Sequence, residues 1–165
     1  FFLMVVTNIN PFHDVSNNEI ISKLASFRKA TNCSEENFIW LCKWLDLDDC
    51  LLGIKPNSTF SYRFAFLESI WTKLSHFQPF LNIETSEEFL KTHKTMAYLV
   101  RLSTEPGKIV FSYWAESEKI LHSRLTVIPN FSLLDSTGQW FKNICDVTTQ
   151  FPLLNPYTTT QIAQQ

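Results

Sequence analysis

Apolar residues recur at helical spacing through the first half of the chain and alternate through much of the second, so the pattern changes near residue 80. From Asn10 to Phe80 the sequence reads as helical. Ser16-x-x-Glu19 has the form of a capping box, in which the serine satisfies a free backbone N–H and the glutamate reaches back. Ile20, Ile21, Leu24, Ala25 and Phe27 follow as one apolar stripe. Ser34 opens a second helix, with Glu35 and Glu36 in the first turn where the helix dipole favours them. Phe38, Leu41, Cys42 and Leu45 form its apolar face, with Trp40 and Trp44 alongside. Gly53 and Pro56-Asn57-Ser58 break the pattern. A third helix is predicted from about Ser61 to His76, carrying Phe66, Ile70, Leu74 and Phe77 on one side. These stripes read as core.

After Thr85-x-x-Glu88, a capping box for a short helix to about His93, three runs read as strands: Met96–Ser103, Ile109–Trp114 and Lys119–Ile128. Thr104-Glu105-Pro106-Gly107-Lys108 between the first two is a Pro-Gly turn suited to a hairpin. Ser136-x-x-Gln139 predicts a last helix carrying Trp140, Phe141, Ile144 and Cys145. Helix, antiparallel strands, helix is an α+β order.

Composition narrows the functions open to these elements. With 45% hydrophobic and 15% aromatic residues in 165, there is material for a packed core, which argues against disorder. A net charge of −2 supplies no basic stripe for gripping nucleic acid. Three glycines leave no Gly-rich phosphate loop. The four cysteines show neither C-x-x-C nor metal-type spacing with the four histidines, and read as reduced core thiols, with no metal or cofactor expected. Sequons at Asn32, Asn57 and Asn130 are attributed to chance in a Ser/Thr/Asn-rich chain. The opening Phe1–Val6 is apolar but too short to span a membrane, and it lacks a signal peptide's basic start and cleavage site. It is read as a strand cut from a larger protein.

One residue stands out against this background. In Ala97-Tyr98-Leu99-Val100-Arg101-Leu102-Ser103, alternation puts Ala97, Leu99, Arg101 and Ser103 on one face. An arginine in so apolar a strand would be desolvated and needs an anion, either an internal carboxylate or a ligand. Ser103 and the amides of the Thr104–Gly107 loop would suit a tetrahedral oxyanion, whose oxygens a guanidinium binds in pairs. His122 and Arg124 share a face in the third strand and would add charge if the register brought them alongside.

Tyr98-Leu99-Val100-Arg101-Leu102-Ser103 resembles the F-L-V-R-x-S signature of Src-homology-2 domains, over roughly residues 83–157. The resemblance implies that Arg101 is a bidentate phosphate ligand, that Ser103 and Thr104 begin the phosphate-binding loop, and that His122 lines a phosphotyrosine ring. Ile83 stands where many members carry a basic residue, a role that the resemblance would leave to Arg124. Phe27-Arg28-Lys29 and Asn37–Leu45, with Trp71, Phe80 and the closing Phe151–Tyr157, resemble the linker and domain end of STAT proteins, signal transducers and activators of transcription. Thr72-Lys73-Leu74 departs from that family's Asn-Asp-Gly.

The resemblance implies a helical linker-type domain over 1–80, whose first seven residues are a strand remnant of an upstream domain. A Src-homology-2 domain follows over 81–165, a central antiparallel sheet flanked by two helices. It implies a cytoplasmic and nuclear protein that binds tyrosine-phosphorylated partners, docks on receptors and dimerises through phosphotyrosine exchange. DNA would be met only through domains outside this chain. The alternative is the substrate-recognition region of a Cbl-like ubiquitin ligase, or another adaptor of this kind. Asp46-x-Asp48-x-Cys50 is similar to a calcium loop, but Leu51 and Asn57 replace its glycine and glutamate. No nucleophile motif points to an enzyme.

Overall fold

The computed structural model describes residues 15–74, 76–115 and 118–148. The strand expected at Phe1–Val6 and the closing stretch Phe151–Tyr157 lie outside the described residues. The chain is an α+β protein, with helices α1–α5 preceding a five-stranded antiparallel meander and a short α6.

Ser16 caps α1 (Asn17–Thr31) in a capping box, accepting from the Glu19 amide at 3.2 Å. Ser34 caps α2 (Glu35–Trp44) by accepting from the Asn37 amide at 3.2 Å. A short α3 (Leu47–Leu51) follows, and α4 spans Asn57–Ile70, not Ser61–His76. Two effects shift that helix. Pro56 ends nothing, because a proline ahead of a helix lacks only an N–H the first turn does not use. At the far end, residues 76–79 run beside the first strand: Val100 N–H donates to His76 O at 2.9 Å and Gln78 N–H to Val100 O at 2.8 Å. Sheet pairing outweighs the helical pattern there. The next helix, α5 (Ile83–Thr92), starts at Asn82, which forms the capping box with Thr85.

The strands are β1 (Tyr98–Leu102), β2 (Lys108–Trp114), β3 (Ile120–Val127), β4 (Leu133–Asp135) and β5 (Trp140–Phe141), paired in that order. The last pair corrects the helix expected after Ser136. Asp135 Oδ1 accepts from the amides of Thr137 and Gln139 at 2.9 and 2.8 Å, and Gly138 takes φ +90°. Asp135-Ser-Thr-Gly is therefore a turn, Trp140 and Phe141 return as a strand, and helix resumes only in α6 (Ile144–Thr148).

Register divides the sheet into two unlike faces. Val100 pairs with Phe111, and Leu102 with Ile109, which pairs with Leu125. This face joins Leu41, Trp44, Phe60 and Phe66 in one large core. On the other face Leu99 and Trp114 pack with Leu90 of α5 in a small second core. The helical segment and the sheet thus bury apolar area against each other, the main favourable term in folding.

Three polar contacts clamp the β1–β2 hairpin into the helices: Trp40 Nε1 donates to Ser103 O at 3.2 Å, Trp44 Nε1 to Lys108 O at 2.6 Å, and Gly107 N to Trp44 O at 3.1 Å. Gly107 has φ +73°, and a Cβ there would lie 2.7 Å from the Arg63 guanidinium.

Candidate anion-binding site

The α5 face of the sheet beyond Leu99 is polar. Arg101 on β1, Val110 on β2 and Arg124 on β3 form one row straight across the sheet. The neighbouring row is Leu99, Ser112 and His122. Register thus answers what periodicity could not: both arginines and His122 share a face.

Arg101 is only 5% exposed. Its Nε donates to Ser112 Oγ at 3.2 Å, and among the described residues no carboxylate pairs with it. Burial, and then the nearby charge of Arg124, lowers its pKa to about 10, which leaves it protonated at neutral pH. A desolvated cation without a counter-ion is costly, so an external anion would gain from binding here.

The guanidinium borders a depression of about 330 Å³ lined by Asn82, Ile83, Glu84, Arg101, Ser103, Thr104, Val110 and Arg124. Arg124 is more exposed, with 56% of its side chain accessible, and Nη1 donates to Glu105 Oε1 at 2.7 Å. Hydrogen bonding and charge from Lys108 hold the Glu105 carboxyl below its ordinary pKa against an opposing desolvation, with a lesser contribution from Arg124. Ile83 lines the depression, as the sequence places it, but Glu84 lies beside it and adds negative charge.

The loop is less open than expected. Ser103 Oγ accepts from the Glu105 amide at 3.0 Å, the Gly107 amide goes to Trp44 O, and the Lys108 amide to Glu105 O at 3.3 Å. Pro106 has no N–H. Thr104 is the loop residue whose amide stays uncommitted among the described residues.

The structure therefore brings Arg101, Ser103, Thr104 and Arg124 around one depression. His122 stands behind it and reaches Arg101 through Ser112: Ser112 Oγ lies 2.7 Å from His122 Nδ1, and His122 Nε2 lies 2.8 Å from Glu87 Oε2. Sequence reasoning missed Ser112, Glu84 and Glu87. A serine within Ile109-Val-Phe-Ser-Tyr-Trp was the one available signal, since a polar residue inside an apolar strand needs a partner. Nothing local marks the glutamates.

Serine, histidine and glutamate in hydrogen-bonded series look superficially like a nucleophile with its base. Ser112, however, is 0% exposed, so its hydroxyl is out of reach of a substrate carbonyl. The arrangement suits anion binding: a planar donor fork, a second cation at the rim and a hydroxyl-bearing loop. No protein-family model and no curated protein sequence matches this chain.

Proposed function

We propose that this chain binds phosphotyrosine in peptides or proteins through Arg101, as part of a STAT-like signalling protein that docks on receptors and dimerises by phosphotyrosine exchange. The observation that carries the reading is the 5% exposed guanidinium of Arg101, without a carboxylate among the described residues, at the edge of a depression. Arg124 adds a second cation at the rim, and Thr104 a hydroxyl and an amide that no other described residue engages. The Y-L-V-R-L-S resemblance supports a phosphotyrosine over other anions, since buried arginine with a hydroxyl-bearing loop is how that architecture captures it. Glu84 at the same rim opposes a dianion, so the site should discriminate against acidic residues close to the phosphotyrosine. No helix among the described residues is long and apolar enough to cross a membrane.

The test is titration of tyrosine-phosphorylated peptides, each with its unphosphorylated twin, into wild type and Arg101→Ala. The phosphate-dependent part of the affinity should disappear in the variant. Equal affinity for both proteins, or no phosphate dependence in wild type across a broad peptide library, would remove this reading.

A further inference from the structure

We infer that Glu87, His122 and Ser112 form a positioning relay that orients the guanidinium of Arg101, with Glu87 selecting the tautomer of His122. Its consequence for affinity rests on the phosphotyrosine reading; its geometry does not.

The proton inventory leaves little choice. A guanidinium only donates, so Arg101 Nε gives a hydrogen bond to Ser112 Oγ at 3.2 Å. The hydroxyl's own hydrogen then needs an acceptor, because Ser112 is fully buried. His122 Nδ1, 2.7 Å away, accepts it only if Nδ1 carries no proton. The ring proton therefore sits on Nε2 and points at Glu87 Oε2, 2.8 Å away. In this arrangement each donor faces an acceptor. In the other neutral tautomer, bare Nε2 would face a carboxylate, and the Ser112 hydrogen would have no acceptor among the described residues. Glu87 on α5 thereby decides which way the serine hydroxyl points on β2.

The relay explains how a cation is held in an apolar strand without a carboxylate of its own. Ser112 occupies Nε, and no described residue takes either terminal nitrogen, so those two groups remain for a ligand. Arg101 Nε–H on the serine oxygen also withdraws a lone pair from it, consistent with positioning instead of nucleophilic attack. Glu87 touches no part of the depression, and acts only through His122 and Ser112.

The experiment reads the ring nitrogens of His122 by ¹⁵N NMR in the full chain, with binding of phenyl phosphate and of a phosphotyrosine peptide measured in parallel. Wild type should show the Nε2–H tautomer. Glu87→Gln should keep it, because the amide oxygen still accepts from Nε2, while Glu87→Ala should give mixed tautomers. Affinity for phenyl phosphate should drop about threefold to tenfold in Glu87→Ala and about tenfold in Ser112→Ala, as loss of a hydrogen bond to a charged group implies, and should not fall in Glu87→Gln. A purely electrostatic role predicts the reverse, since removing a negative charge would tighten anion binding in both Glu87 variants. That result would overturn the relay, as would an Nδ1–H ring in wild type or an unchanged tautomer in Glu87→Ala. Glu87 is half-exposed, so its variants test the relay even if Ser112→Ala fails to fold. If wild type binds neither probe, the phosphotyrosine reading falls, and the ring shifts alone still decide the relay.

Discussion

Two arginines of this chain are buried in opposite ways. Arg63, on α4, gives Nη1 to Asp46 Oδ2 at 2.6 Å, and Lys55 Nζ reaches the same oxygen at 2.7 Å. Arg63 and Asp46 side chains are 13% and 11% exposed, and Asp46 itself sits in the left-handed region with φ 54°. Asp46 thereby ties α4 to the α2–α3 junction, and the Arg63 guanidinium underlies Gly107 of the hairpin. Arg101 is at least as buried, yet its partner is a neutral hydroxyl. A cation with an internal carboxylate has its charge balanced within the fold, whereas one held by a hydroxyl keeps its attraction for an anion from outside. The contrast separates an arginine that holds the structure from one available to a ligand.

The sharpest way to break this contrast is Arg63→Ala. Removing one of the two cations on Asp46, with Lys55 still in place, should destabilise the protein by about 2–3 kcal/mol in denaturant unfolding, provided the variant folds. A loss below about 1 kcal/mol would place the pair with ordinary surface ion pairs and erase the distinction. Arg101→Ala should show the inverse profile. Phosphotyrosine-peptide affinity should fall by about 2–5 kcal/mol in a calorimetric titration, while the unfolding midpoint stays level or rises, because an uncompensated charge has been removed. A marked drop in the midpoint would mean that Arg101 is structural after all.

Gly107→Ala tests the join between the clamped hairpin and Arg63. Positive φ and a Cβ against the guanidinium should together cost about 1–3 kcal/mol of stability, with little change in anion affinity. Acid titration isolates the same pair. Burial raises the Asp46 carboxyl, but hydrogen bonds and charge from Lys55 and Arg63 outweigh it and leave the pKa below the usual range. Its folded value is thus the depressed one, so the stability it contributes is complete above the unfolded pKa of about 3.9 and is lost as pH falls through the folded value. Between pH 5 and pH 2 Asp46→Asn should therefore lose less stability than wild type; parallel acid curves would count against the assignment. The smallest effect belongs to Arg124→Ala. Its exposed pair with Glu105 should leave stability nearly unchanged, and anion affinity should weaken about twofold to fivefold.

Much of the local structure was legible. Ser16 and Ser34 cap where the spacing puts them, and the three central strands lie within a few residues of their predicted limits. Arg101 could be singled out from alternation alone. The failures share a cause: Phe77 fits a helical stripe, yet the chain there pairs with β1, and Trp140 and Phe141 fit another, yet pair with β4. Asp135-Ser-Thr-Gly could have been read as a turn, and it shows how a second local signal is hidden by a stronger-looking one.

What the sequence determined by itself is therefore the set of features written within one turn or one strand: caps, alternation, hairpin chemistry and an arginine on an apolar strand. These depend on hydrogen bonds and side-chain directions spanning a few residues, so their partners are neighbours in the sequence. Only the tertiary structure decided that Arg101 has Ser112 and no described carboxylate, that Arg124 shares its row, and that Glu87 stands behind His122. Those outcomes depend on strand register and on the seat of α5. Both are settled by which faces bury apolar area against distant elements, so no local pattern contains them.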